Sequence, residues 1–147
     1  MLGWTMSRVE DVTPQVAWAA LAAQPSAFLI DVRSQAEWTF VGVPDVSGLG
    51  KDVILIEWQM FPSMHLNGSF ADTLQAVLME RGGGQNSPLY FLCRSGGRSR
   101  SAAQKMAGLG FQACFNVEGG FEGDPDAQRH RGRLSGWKAA NLPWVQN

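Results

Sequence analysis

The sequence predicts an α/β domain of three layers, with a mainly parallel central sheet flanked by helices. Four short runs carry the prediction: residues 27–32 (AFLIDV), 53–58 (VILIEW), 89–93 (LYFLC) and 113–117 (ACFNV). Each is nearly continuous in apolar residues, as strands covered on both faces are. Between them lie segments with helical spacing, so strands alternate with helices through right-handed crossovers. The length, 147 residues, suits one domain that buries a core without disulfide or metal staples.

The elements follow in order. A weak strand at residues 5–9 is expected at a sheet edge. Thr13 caps a helix with Pro14 at its first position, and Val16, Ala17, Ala20 and Leu21 share one face. After the first strong strand, Ser34 and Glu37 form a capping box for a short helix through Trp38. Ser69 with Asp72 opens another helix, whose Phe70, Leu74, Val77 and Leu78 repeat at helical spacing until Gly82, Gly83 and Gly84 stop it. Ser99, Ala102, Ala103, Met106 and Ala107 mark a helix ending at Gly108 and Gly110. The chain reads as a single domain over 1–147, with 1–11 as lead-in and 119–147 as a glycine-rich, loop-rich wrap. No internal repeat is present.

Composition narrows the function. Hydrophobic residues at 45% and charged residues at 17% are those of a globular chain. Twelve Lys+Arg against thirteen Asp+Glu leave a net charge of -1, so no basic field for nucleic acid or an anionic membrane is expected. Two cysteines make no disulfide scaffold, and two histidines leave few zinc ligands, so no metal is expected. The uncharged stretch 12–30 contains Pro14, Gln15, Gln24, Pro25 and Ser26, which argues against a membrane span. The first eight residues lack the basic start and apolar run of a signal peptide. The expectation is a cytoplasmic protein with free cysteines.

Ligands of such sheets bind beyond the carboxyl ends of the strands. Asp31-Val32-Arg33 and Cys93-Arg94 stand at such ends. In Cys93-Arg94-Ser95-Gly96-Gly97-Arg98-Ser99 a strand delivers a cysteine, two glycines follow, and a helix begins near Arg98 or Ser99. Glycines let backbone N–H groups turn inward into an anion-holding nest, and the helix N-terminus adds partial positive charge. Arg94 and Arg98 add full charges nearby. Such surroundings favour the thiolate, the nucleophilic form, without a histidine base. Nothing places His65 or His130 near Cys93. Cys114, inside an apolar strand, is expected to be core; a resolving role requires disulfide reach of Cys93.

Three segments together resemble a single-domain rhodanese, a sulfurtransferase family. They are LIDVR at 29–33 with Glu37-Trp38, the loop Cys93 to Ser99, and NVEGGF at 116–121. The resemblance implies that the Cys93 thiolate attacks the outer sulfur of thiosulfate or a related donor and becomes a persulfide. The sulfur then passes to cyanide or a cellular thiol. It implies no metal or organic cofactor, and a loop of Arg94 through Ser99 whose amides ring the sulfur. Asp31 is expected to support that loop, through its amides or through an arginine, and Arg33 to pair with a carboxylate. Glu37 is expected to act mainly as a cap, and Arg94 either to attract an anionic donor or to be a solvated loop residue.

Two alternatives stay open: a persulfide carrier exchanging sulfur with a protein partner, and a phosphatase or arsenate reductase. Those relatives place an arginine six positions after the cysteine, where this chain has Ser99, with Arg98 one residue early. The family's usual histidine is missing from VGVPDV at 41–46. Met60, Phe61, Pro62, Met64 and His65 form either an apolar wall of the pocket or a surface loop. Arg129, His130, Arg131 and Arg133 form either a solvated loop or a basic cover, and Trp137 either core or cover.

Overall fold

The computed structural model describes residues 9–146. Its centre is a five-stranded sheet in the order β1-β8-β7-β2-β4, built from β1 (Glu10–Val12), β2 (Phe28–Asp31), β4 (Ile54–Leu55), β7 (Leu89–Leu92) and β8 (Cys114–Val117). Every neighbouring pair in it is parallel. Two small antiparallel pairs lie outside: β3 (Val43–Pro44) with β9 (Trp144–Val145), and β5 (Gln59–Met60) with β6 (His65–Leu66).

Successive side chains of a strand point to opposite faces. Ile30, Phe91 and Leu89 therefore face one core with Leu74 and Leu78 of α3 (Phe70–Glu80) and Met106 of α4 (Gly97–Gly108). Leu29, Tyr90 and Leu92 face the other with Leu21 of α1 (Pro14–Ala23) and Trp137 of α5 (Gly136–Ala139). Helices on both faces explain why the strand sequences run apolar without alternating. The fold class read from the sequence is the one observed.

Local signals act as expected at two helix starts. Thr13 Oγ1 accepts from the Val16 amide at 3.1 Å. Ser34 and Glu37 complete a reciprocal capping box on α2 (Gln35–Val41). Ser69 instead makes no side-chain cap bond; its own amide donates to Asn67 Oδ1 at 3.0 Å, so the turn before α3 is closed by the asparagine.

The structure corrects four boundaries. The edge strand is Glu10–Val12, paired with β8; of the expected 5–9 segment only Val9 lies among the described residues, and it is outside the strand. The lead-in 1–11 thus includes the first two residues of β1. The 53–58 run forms only the two-residue β4; Ile56 and Trp58 still give their amides to the Asp31 and Val32 carbonyls at the end of β2 before the chain enters the β5–β6 hairpin. The 119–147 wrap contains α5 and β9, and β9 pairs with β3. Trp137 is wholly buried, edge-on to Trp18 at 5.9 Å, with its Nε1 donating to Pro143 O; it is core. Among the described residues, no helix is long and apolar enough to cross a membrane.

Candidate active site

β7 ends at Leu92 and delivers Cys93 to the carboxyl edge of the sheet, where Val32 donates to Leu92 O at 2.9 Å. The chain then reverses through Gly96, whose φ of +123° is open only to glycine, and enters α4 at Gly97. That turn aims the Gly96 N–H at Cys93 Sγ, 3.1 Å away. Ser99 Oγ, one turn into the helix, lies 3.2 Å from the same sulfur. The positive end of a 12-residue helix faces this spot. Cys93 is 1% exposed, so the sulfur sits at the floor of its loop.

The turn after β8 braces the loop from below. Phe121 donates to Cys93 O at 2.7 Å, and Glu122 and Gly123 donate to Arg94 O at 3.0 and 3.1 Å. Gly120 makes this approach possible: its φ is +59°, and a Cβ there would collide with the Cys93 carbonyl and the Arg94 backbone. NVEGGF is therefore the other half of the loop's scaffold.

The expected ring of amides is narrower than the sequence implied. Among the described residues, the Gly96 amide is the one backbone donor to Sγ, joined by the Ser99 hydroxyl. Ser99, one turn into α4, brings its side chain to the sulfur.

The arginines divide sharply. Arg98 forms a two-pronged pair with Glu37, at 2.6 and 2.9 Å, and so is tied to α2. Burial pushes the Glu37 carboxyl up, but the Arg98 hydrogen bond and charge, with the Ser34 bonds, outweigh it and hold it at about 2. Glu37 is thus more than a cap: it joins α2 to the active loop. Arg98 is no free cation beside the sulfur. Arg94 and Ser95 are exposed, and the Arg94 side chain makes no hydrogen bond or ion pair among the described residues. Arg94 is the exposed arginine of the loop, without a carboxylate partner among the described residues.

Asp31 and Arg33 are both wholly buried. Arg33 Nη2 reaches Asp31 Oδ2 at 2.7 Å and Gly42 O at 2.7 Å, and its Nε reaches Asp31 Oδ1 at 3.0 Å. The guanidinium lies 4.2 Å from the centre of the Phe121 ring. Of the two supports expected from Asp31, the arginine is the one used, and the loop amides are not. The pair stiffens the end of β2 and backs the loop through Phe121.

The second cysteine lies elsewhere. Parallel register sets Cys114 opposite Leu89, four residues before Cys93. At roughly 3.3 Å per residue that separates the two by about 13 Å along the strands, beyond disulfide reach. Burial pushes the Cys114 thiol up to about 12. It is a core residue.

His65 and His130 are exposed on the β5–β6 hairpin and on the loop after β8. Arg131 donates to Gly123 O at 2.6 Å and Arg133 pairs with Asp126 at 3.5 Å, so the side chains of these two residues of the basic run tie their own loop together, as the backbones of Arg129 and His130 do through Asp126. Met60, Phe61, Met64 and Leu66 are exposed on the hairpin, which is a surface element.

Asn116 and Asp11 were not among the predicted site residues. Asn116 is buried on β8; its Oδ1 lies 2.6 Å from Ser99 Oγ, and its Nδ2 donates to Asp11 Oδ1 at 3.0 Å. One signal was available: Asn116 is the polar residue in the otherwise apolar run 113–117. Asp11 gave none, because its partners are distant in sequence.

Comparison with known proteins agrees with this architecture. The family described as "STR4 middle domain" matches residues 9–147. The crystal structure of Rv0390 from M. tuberculosis superposes with a TM-score of 0.83 at 42% identity, covering 95% of this chain and 98% of that one. The uncharacterized protein RP600 of Rickettsia prowazekii is 35% identical over 136 residues, 92% of this chain and 97% of its own. The thiosulfate sulfurtransferase GlpE of Pseudomonas syringae is 29% identical over 118 residues, 80% of this chain and 88% of its own.

Proposed function

This chain belongs to the rhodanese-like domains, in the family described as the STR4 middle domain, and from that premise we propose that it is a sulfurtransferase working through a Cys93 persulfide. The observation that carries the reading is the pair of contacts on Sγ, from the Gly96 N–H at 3.1 Å and the Ser99 hydroxyl at 3.2 Å, at the N-terminus of α4. The amide, and the hydroxyl once it turns onto the sulfur, stabilise a sulfur anion. The likeness to GlpE points to thiosulfate as a donor.

The steps balance without a cofactor. The Cys93 thiolate attacks the sulfane sulfur, forming a new S–S bond while the donor's S–S bond breaks and sulfite leaves with the electron pair. The resulting Cys93–S–S⁻ occupies the same donors. Cyanide or a cellular thiolate then attacks the outer sulfur, and the Cys93 thiolate leaves, ready for another cycle. Arg94 at the mouth attracts the anionic donor. A phosphatase or arsenate reductase is disfavoured because Arg98 is held by Glu37 and the sixth loop position carries Ser99, which leaves no guanidinium aimed at a tetrahedral oxyanion.

Intact-mass measurement tests the reading directly. Incubation with thiosulfate is expected to add one sulfur atom to the protein, and cyanide to remove it as thiocyanate. Folded Cys93→Ser and Cys93→Ala proteins should show neither adduct nor turnover. Turnover that survives in those variants, or a wild-type protein that never gains sulfur from any sulfane donor, defeats the assignment.

A further inference from the structure

A line of polar groups runs from the surface to the active sulfur. Arg100 Nη2 donates to both carboxylate oxygens of Asp11, at 2.6 and 2.7 Å. Asn116 Nδ2 donates to Asp11 Oδ1 at 3.0 Å. Asn116 Oδ1 lies 2.6 Å from Ser99 Oγ, which lies 3.2 Å from Cys93 Sγ. Asn116, Ser99 and Cys93 are all buried.

The donor and acceptor inventory fixes the direction of each bond. A carboxylate only accepts, so the amide nitrogen of Asn116 must face Asp11 and its oxygen must face Ser99. A serine hydroxyl has one proton. At 2.6 Å that proton points to Asn116 Oδ1; Gly96 O, at 3.2 Å, is the more distant acceptor. Ser99 then presents a lone pair to Cys93. A lone pair accepts a thiol S–H and opposes a thiolate. When Cys93 ionises and its proton passes to water, Ser99 must swing its hydroxyl onto Sγ. Asn116 Oδ1 is then left buried without its donor, which carries a free-energy cost.

We propose that Asp11 and Asn116 are positioning residues that hold Ser99 in its thiol-supporting orientation, so that forming the Cys93 thiolate requires Ser99 to release Asn116. The resting cysteine is thereby restrained, and an exposed ion pair on β1 and α4 reaches the nucleophile through two buried side chains. The inference rests on Cys93 being the nucleophile of the proposed transfer. Other charged groups of the elements packed around the loop are Asp31 at the end of β2, Arg33 just after it, Glu37 from α2, Arg98 from α4, Arg94 from the loop itself and Glu122 from the following turn. Asp31 with Arg33, and Glu37 with Arg98, are internally paired. All six stay in place in the variants below.

The test is the ultraviolet absorbance of thiolate against pH, each variant read as a difference from its Cys93→Ser counterpart. Cys114, held up at about 12, stays silent over the useful range. In Asp11→Ala the Asn116 amide is free to turn, donate to Ser99 and send the serine proton to Sγ. The thiolate share at a fixed pH below the wild-type midpoint should rise roughly 3- to 10-fold. Ser99→Ala alone sets the baseline, since it removes both the lone pair that supports the thiol and the hydroxyl that can turn to support the thiolate. The decisive variant is the double: with Ser99→Ala in place, Asp11→Ala should no longer raise the share, whereas a bare loss of negative charge would raise it in both backgrounds. Asn116→Ala, which changes no charge, should reproduce the rise; if it does not fold, exposed Asp11 still decides the matter. No rise in Asp11→Ala, or a rise that persists without the Ser99 hydroxyl, overturns the proposal. Failure of thiosulfate to load the wild-type protein, with these shifts intact, removes the proposed function and leaves the hydrogen-bond assignment standing.

Discussion

Cys93 follows β7 and Cys114 opens the neighbouring parallel strand β8, and both are buried. Their chemistry differs because they occupy opposite ends. Cys93 follows the carboxyl end of β7, where a glycine turn brings an amide and a helix N-terminus onto the sulfur. Cys114 opens β8 at the amino end, among Leu89, Met106 and Phe111, where its sulfur meets only the Phe111 carbonyl at 3.7 Å. Burial alone pushes a thiol toward its neutral form; burial under aimed donors can hold an anion. The contrast teaches that strand polarity, not exposure, separates the proposed nucleophile from a packing residue in this fold.

Exchanging each cysteine breaks the comparison most directly. Cys93→Ala should abolish sulfur loading and leave the fold intact. Cys114→Ala should leave loading near wild type and cost on the order of 1 kcal/mol by opening a small cavity, measured by denaturant unfolding. A Cys114→Ala protein that folds but no longer loads sulfur would erase the distinction.

Gly120 tests how far the environment of Cys93 depends on the brace beneath it. Gly120→Ala places a Cβ against the Cys93 carbonyl and forces a positive φ on alanine. The strain amounts to roughly 1–3 kcal/mol, and the loop must shift to accommodate it. Sulfur transfer should fall more than about 10-fold, because misplacement by even 1 Å is costly at a reacting centre.

Glu37 tests the clamp that the Cys93 side has and the Cys114 side lacks. The carboxyl is lowered from the ordinary 4.5 to about 2, so its contribution to stability is fully present above pH 4.5 and is lost as pH falls toward 2. The shift corresponds to at most about 3 kcal/mol, less after solvent screening of a partly exposed pair. Glu37→Gln should therefore be less stable near neutral pH and show a flatter decline between those limits. Parallel decline of the two proteins in acid denaturation would remove the clamp from the account.

Much of this was legible in the residues. Continuous apolar runs gave the parallel sheet because the covering helices leave no polar face. Cys93 and the two glycines after it were visible as a local strand–turn–helix pattern, in which Gly96 takes the positive φ, and the turn holding Gly120 was visible through the resemblance of NVEGGF. What escaped was long-range pairing. Arg98 looked like a cation for the sulfur, yet its partner lies 61 positions earlier in the chain. Asp11 and Asn116 are 105 positions apart and meet only because β1 and β8 pair in parallel. Spacing rules report neighbours on one element; they are silent on which side chains two distant elements bring together.

Arg94 carries the smallest expected effect, and the way it acts separates steering from chemistry. Its side chain is exposed and unpaired among the described contacts, whereas Arg33, Arg98 and Arg100 are all paired with carboxylates. A free surface cation attracts a dianionic donor but is screened by salt. Arg94→Gln should therefore raise KM for thiosulfate about 2- to 5-fold at low ionic strength and leave kcat nearly unchanged, since it removes attraction felt equally before and during reaction. The difference from wild type should shrink as salt is added. A fall in kcat that salt does not relieve would instead place the guanidinium on the reacting sulfur, and the donors around Cys93 would then include a full charge as well as an amide and a hydroxyl.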